Sequence, residues 1–149
     1  PNQSMKSGLV LPMMIKKAIR NESIEIFGDG TQVRCFMHIR DASYIVYSLL
    51  RFMQTGFTSG EIYNVGNPLN EISIGELANL VLKMTKSKSE IVFKPYSEAY
   101  PPGFQELNRR IPNMTKTTNA VRVGGDFVLQ RDIADIVRDM IIQIEGRMV

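Results

Sequence analysis

Cysteine is nearly absent. Cys35 is the only one in 149 residues, so no disulfide can form within the chain, and a cytoplasmic setting is expected. Long apolar runs are missing too. The longest, Leu9 to Ile15, contains Pro12 and is a fraction of the ~20 residues that cross a hydrocarbon core, so no membrane partner is expected. Charge of one sign is scarce: 18 Lys+Arg against 15 Asp+Glu leave a formal charge of +3. The basic side chains are scattered among acids, which argues against a nucleic-acid partner. There is one histidine, His38, so a Ser/His/Asp triad would have to be built on it, and no Gly-x-Ser-x-Gly elbow presents a serine. Repeats and low-complexity tracts are also lacking, and the length suits one domain over residues 1–149. The chain opens Pro1-Asn2-Gln3-Ser4, without initiator methionine or signal stretch, and reads as an excised piece of a longer chain.

What is present alternates between helical and strand patterns. Pro12 suits a first helical turn, and Ile15, Ala18 and Ile19 follow at helical spacing. Ile24 to Phe27 reads as a strand, Gly28-Asp29-Gly30 as a turn, and Val33 to Ile39 as an alternating second strand, together predicting a hairpin. On that strand Val33, Cys35, Met37 and Ile39 share one face, and Arg34, Phe36, His38 and Arg40 the other. Asp41 is a candidate cap for a helix whose stripe is Ile45, Leu49, Leu50 and Met53, stopped by Gly56. Glu61 to Val65 predicts a strand. Ser73-Ile74-Gly75-Glu76 is a capping box ahead of Leu77, Leu80, Val81 and Met84. Ile91 to Phe93 predicts a short strand, and Lys94 to Leu107 a long ordered or mobile loop, a common setting for binding lids. A last helix keeps Leu129, Ile133, Ile136, Val137, Met140 and Ile144 on one face. The fold class is α/β.

Several chemical readings fail on geometry. Cys35 and His38 would project from opposite faces of a strand, so with Asp41 they make no metal site. His38-Ile39-Arg40-Asp41 looks faintly like a kinase catalytic loop, but Val46 stands where that loop needs its asparagine. Gly28-Asp29-Gly30 is too short for a dinucleotide or P-loop fingerprint. Lys83, Lys86 and Lys88 complement the end of a helix dipole, and Met13, Met14, Met37, Met53 and Met84 suit apolar faces. Arg34, on a polar strand face just after a turn, is a candidate grip for phosphate oxygens. Arg109 and Arg110, at the end of the long loop, could add a second cation to the same anion or remain surface charges.

Taken in order, several segments resemble one family. These are Ser7-Gly8-Leu9-Val10-Leu11-Pro12, then Ile26-Phe27-Gly28-Asp29-Gly30-Thr31-Gln32-Val33-Arg34-Cys35-Phe36, His38-Ile39-Arg40-Asp41, Tyr63-Asn64-Val65-Gly66-Asn67, and Arg109-Arg110-Ile111-Pro112-Asn113. Together they resemble the C-terminal half of the NAD-dependent epimerase/dehydratase family. These extended short-chain dehydrogenases include enzymes similar to UDP-glucose 4-epimerase, with isomerase and lyase members. The resemblance implies a C-terminal substrate-binding lobe, a small mixed sheet with helices, whose N-terminal Rossmann lobe is missing. It implies that Leu11 and the Ile26-Phe27 strand flank a nucleotide base, and that Arg34 and Arg110, with Arg109 beside them, hold the diphosphate of a UDP- or dTDP-linked sugar. His38 and Asp41 belong to the motif and look structural. The family has Asp where Asn113 stands, and Gly-Trp with a nearby proline where this chain has Gly124-Gly125-Asp126-Phe127.

The family's Tyr-x-x-x-Lys pair is not found. Tyr44, Tyr47, Tyr63, Tyr96 and Tyr100 are followed at the lysine position by Ser48, Arg51, Asn67, Tyr100 and Phe104. No catalytic residue is therefore assigned, and no metal. NAD is expected in the full-length enzyme, held mostly by the missing lobe, with none on these residues alone. The alternative reading is a non-catalytic nucleotide-sugar-sensing or protein-interaction module.

Overall fold

Val10 begins the first helix of the computed structural model, which describes residues 9–53, 60–122 and 129–146. The elements run α1 (Val10–Ile19), β1 (Ile24–Phe27), β2 (Val33–Cys35), α2 (Ile39–Met53), β3 (Glu71–Ser73), α3 (Ile74–Thr85), β4 (Ile91–Lys94), a 3₁₀ turn (Tyr96–Glu98), β5 (Arg109–Arg110), α4 (Thr115–Arg122) and α5 (Ile133–Glu145). The α/β alternation expected from the sequence is present. The described residues fall into two compact units. The first takes the described residues of Pro1–Arg34, Ile72–Arg110 and Val137–Val149, and the second those of Cys35–Glu71 and Ile111–Ile136.

In the first unit α1 and α3 pack on each other and on β1. Ile15, Ile24, Ile26, Leu77 and Val81 are fully buried there, each contributing on the order of 1.5–3 kcal/mol by leaving water. The expected capping box is in place: Ser73 Oγ accepts from the Glu76 amide, and the Glu76 carboxylate accepts from the Ser73 amide. Lys86 ends α3 in the left-handed region, and Asn21, also left-handed, follows the end of α1. The Asn21 Oδ1 accepts from the Lys88 amide at 3.0 Å, which ties the two helix ends together.

The predicted hairpin does not form. β1 pairs in parallel with β4, Ile24 opposite Ile91 through Phe27 opposite Lys94, while β2 lies in a second sheet of order β3-β2-β5. The turn is real but leads elsewhere. Gly28 N donates to Lys94 O, extending the β1–β4 ladder, and Gly75 N and Ile74 N donate to Gly30 O and Gln32 O. The start of α3 thus takes the carbonyls that a hairpin partner would have used.

In the second unit Ile45, Met114 and Val121 form a buried cluster with Met37, Leu49 and Leu129 against it. β2 ends at Cys35, so the alternation expected through Ile39 stops early. His38 is 6% exposed, and its Nδ1 accepts from the Arg40 amide, making it, and not Asp41, the cap of α2. Asp41 is buried and instead accepts from the Arg131 amide and, at 2.8 Å, from its guanidinium. Leu50, expected in the α2 stripe, is 54% exposed.

Residues 61–65, expected as a strand, are not one. Their polar groups go to the start of α4: Thr117 Oγ1 donates to Asn64 O, Asn64 Nδ2 donates to Asn113 O, and Lys116 pairs with Glu61. Leu129 precedes α5, on which Ile136, Val137 and Ile144 are buried. The side chain of Met53, the stop at Gly56, the Ser7-Gly8 start of the first motif and Gly124-Gly125-Asp126-Phe127 lie outside the described residues.

The first unit also carries an acid-sensitive knot. Glu25 on β1 sits between Lys17 of α1 at 2.8 Å and Lys94 of β4 at 2.7 Å. The hydrogen bond from Lys17, then that from Lys94, lowers its pKa from 4.5 to about 2. A carboxylate depressed by folding stabilises the fold fully above its unfolded pKa and loses that contribution as pH falls through the folded one. Urea denaturation of Glu25→Gln is therefore expected to show a deficit against wild type at neutral pH that closes between about pH 4.5 and 2. A deficit independent of pH would refute the assignment.

Candidate functional site

β2 and β5 run in parallel with Val33 opposite Arg109 and Arg34 opposite Arg110. Residues in such register stand on the same sheet face, while neighbours along a strand alternate. Arg34 and Arg110 therefore share a face, and Arg109 takes the other. The segment before β5 supplies the counter-charge. Glu106 Oε1 accepts from Arg34 Nη2, from Arg110 Nη2 at 2.7 Å and from the Leu107 amide at 3.0 Å. Arg34 Nη1 also donates to Val33 O at 2.7 Å and Leu107 O at 3.0 Å. The Arg34 and Glu106 side chains are 18% and 14% exposed, and that of Arg110 is 57% exposed.

Burial pushes the Glu106 carboxyl up, but the Arg110 hydrogen bond and the charges of Arg34 and Arg110 more than reverse this and hold it below the usual value. The carboxylate is thus ionised at neutral pH. Tyr96 is shifted the opposite way, its hydroxyl pushed up first by burial and then by the charge of Glu106, so it stays protonated.

Beside this cluster lies an aromatic one. Tyr100 and Phe104 stack at 4.0 Å, Phe27 meets Tyr100 edge-on at 6.1 Å, and Tyr96 leans on both loop rings. Tyr96, Tyr100, Phe104 and the Pro101–Gly103 turn line a cavity of about 250 Å³, below the ~300–1,000 Å³ usual for a small-molecule site. The expected loop Lys94 to Leu107 is therefore an ordered segment built on a 3₁₀ turn and ring packing.

The six residues expected to bind substrate all lie in the first unit. Arg34 and Arg110 meet on one anion. Phe27 is half-buried at the edge of the aromatic cluster. Leu11 is the second residue of α1, and Leu11 and Ile26, expected to flank a nucleotide base, are 3% and 2% exposed and face the core. The sequence reading missed Glu106 and the use of Tyr96, Tyr100 and Phe104. The signal available was the equal spacing of the three rings along an otherwise aperiodic segment. Asn113, where the resembled family has Asp, accepts from the Thr115 amide through Oδ1 at 3.0 Å and still caps α4.

Gly28 and Gly75 do not make a dinucleotide cradle. A dinucleotide cradle needs glycines open to a pyrophosphate at a helix N-terminus. A Cβ on Gly28 would meet the Tyr96 ring at 2.5–2.6 Å, and one on Gly75, at the start of α3, would lie 3.3 Å from Gly30 O. Both places are filled by the chain itself. Among the described residues no cluster of His, Cys, Asp and Glu could hold a metal ion, and no helix is long and apolar enough to cross a membrane.

Comparison with known proteins places this arrangement. The fold is that of solved nucleotide-sugar epimerases and dehydratases. UDP-glucose 4-epimerase from Thermotoga maritima, determined with UDP-glucose, has a TM-score of 0.74 at 19% identity, covering 100% of this chain and 43% of that one. A dTDP-glucose 4,6-dehydratase from Bacillus anthracis, in complex with NAD, has a TM-score of 0.76 at 20% identity, covering 98% and 41%. In sequence, UDP-N-acetyl-alpha-D-glucosaminuronate decarboxylase of Bacillus cytotoxicus is 37% identical over 107 residues, 72% of this chain and 32% of the relative. The model of the NAD dependent epimerase/dehydratase family matches residues 1–66. The chain belongs to the NAD-dependent epimerase/dehydratase family. It spans about a third of the length of the curated relatives it matches.

Proposed function

We propose that this chain binds the nucleoside-diphosphate part of a UDP- or dTDP-linked sugar as part of an NAD-dependent epimerase, dehydratase or decarboxylase. The observation that carries this reading is the in-register pair Arg34 and Arg110, whose guanidiniums converge on a single oxyanion position. Two planar forks aimed at one point suit a diphosphate, whose charge is spread over several oxygens. Phe27 and the rings of Tyr100 and Phe104 supply the flat apolar surface a base or sugar packs on. A Rossmann lobe elsewhere in a longer protein would supply NAD and the tyrosine and lysine that move protons. These residues would contribute binding energy used for orientation. The lone cysteine fits a cytoplasmic setting.

Calorimetric titration of the full chain tests this. UDP and UDP-glucose are expected to bind and uridine, lacking the diphosphate, to bind far more weakly. Arg110→Ala removes one charge-assisted hydrogen bond of ~1.5 kcal/mol, which corresponds to about a tenfold loss in UDP affinity. Uridine binding as tightly as UDP would overturn the reading.

A further inference from the structure

We propose that Glu106 is an internal stand-in for the ligand's anion, a carboxylate latch that must leave Arg34 and Arg110 before a diphosphate can occupy them. This rests on the diphosphate reading above and adds a gating step to it. Glu106 Oε1 receives both guanidiniums and the Leu107 amide, so three donors are aimed where a phosphate oxygen would sit. Two cations and one carboxylate leave this trio with a single positive charge. A diphosphate bound alongside Glu106 would face a like charge across a partly buried site, which opposes binding. Displacement removes that conflict and returns both forks to the ligand.

Glu106 follows a closed turn and a glycine in open space. The Tyr96–Glu98 turn is closed by Glu98 N and Tyr100 N on Pro95 O and Tyr96 O, giving it a fixed base. Beyond it Gly103 has φ +85 with no atom within 4 Å of a Cβ position. A residue in open space with a glycine's dihedral freedom is where such a segment bends. Glu106 stays ionised at neutral pH, so the latch opens by exchange of anions and not by protonation.

The test is titration of UDP and of inorganic diphosphate into the full chain, as wild type, Glu106→Gln and Glu106→Asp, with circular dichroism checking that each is folded. If the latch is closed about nine-tenths of the time, removing its charge raises apparent affinity about tenfold. Glu106→Gln is then expected to bind both probes about tenfold tighter than wild type. Glu106→Asp, one methylene short of reaching both arginines, is expected to fall between. Equal or weaker binding by Glu106→Gln, while wild type binds, overturns the latch and makes Glu106 a support for the arginines. If Glu106→Gln does not fold, Glu106→Asp decides in the same way. If neither wild type nor any variant binds UDP, the diphosphate reading itself falls and the latch with it.

Discussion

Arg34→Ala is expected to weaken UDP binding roughly a hundredfold, more than any other single change on this face. Hydrogen bonds to a charged group contribute ~1.5–3 kcal/mol, and about 2.7 kcal/mol is a hundredfold in affinity. The upper part of that range applies because the Arg34 side chain is 18% exposed and its guanidinium is fixed by Val33 O and Leu107 O. It is pre-ordered and partly desolvated before any ligand arrives, unlike Arg110, which is 57% exposed. Arg34→Lys keeps the charge but not the planar fork, and an intermediate loss is expected.

The double variant Arg34→Ala/Glu106→Gln separates two causes. If the loss in Arg34→Ala came only from leaving the Glu106 charge undercompensated, removing that charge would restore affinity. If Arg34 itself holds phosphate, the double variant stays weak. Calorimetry of the four proteins reads this directly, and an Arg34→Ala chain that is folded and binds UDP as well as wild type would refute the role.

The parts of this fold that are legible in the sequence are those decided within one turn of chain. Ser73 and Glu76 announce α3 because a capping box satisfies its orphan amides locally. Ile24–Phe27 and Ile91–Phe93 read as short strands, and both lie in strands. Their pairing with each other was not legible, since the partner of β1 lies beyond α3 and the nearby glycine turn suggested β2 instead. α4, TKTTNAVR, has no apolar stripe long enough to read. It is fixed by the Asn113 cap and by burial of Thr117, Ala120 and Val121. β5 is two arginines and carries no strand signal. The site divides the same way. Residue type and resemblance suggested that Arg34 and Arg110 grip one oxyanion, and in the fold both meet the Glu106 carboxylate. Glu106 was not legible, because only the register of β2 with β5 reveals that one carboxylate serves both.

Gly28→Ala is expected to destabilise the fold by about 2–5 kcal/mol. The glycine has φ +83 and ends the β1–β4 ladder through its amide on Lys94 O. An L-residue in that conformation costs ~1–2 kcal/mol. The new methyl would also lie 2.5 Å from Tyr96 Oη and 2.6 Å from its ring carbons, an overpacking worth ~1–3 kcal/mol. A ring can swing aside, so the second cost depends on what holds it. Tyr96 is wedged by Phe104 at 5.5 Å and Tyr100 at 6.0 Å, and both sit on the segment that ends at Glu106.

A double-mutant cycle with Tyr96→Ala isolates that coupling. With the ring gone, Gly28→Ala retains only its dihedral cost, about 1–2 kcal/mol, so the two substitutions are expected to be strongly non-additive. Urea denaturation of the four chains measures it. Additive costs would mean that Tyr96 moves freely and that the glycine turn is uncoupled from the arginine cluster. Non-additivity would mean that Gly28 is required because Tyr96 fills the space a side chain would take. Gly28→Ala would then also disturb UDP binding at a site that its own backbone does not touch.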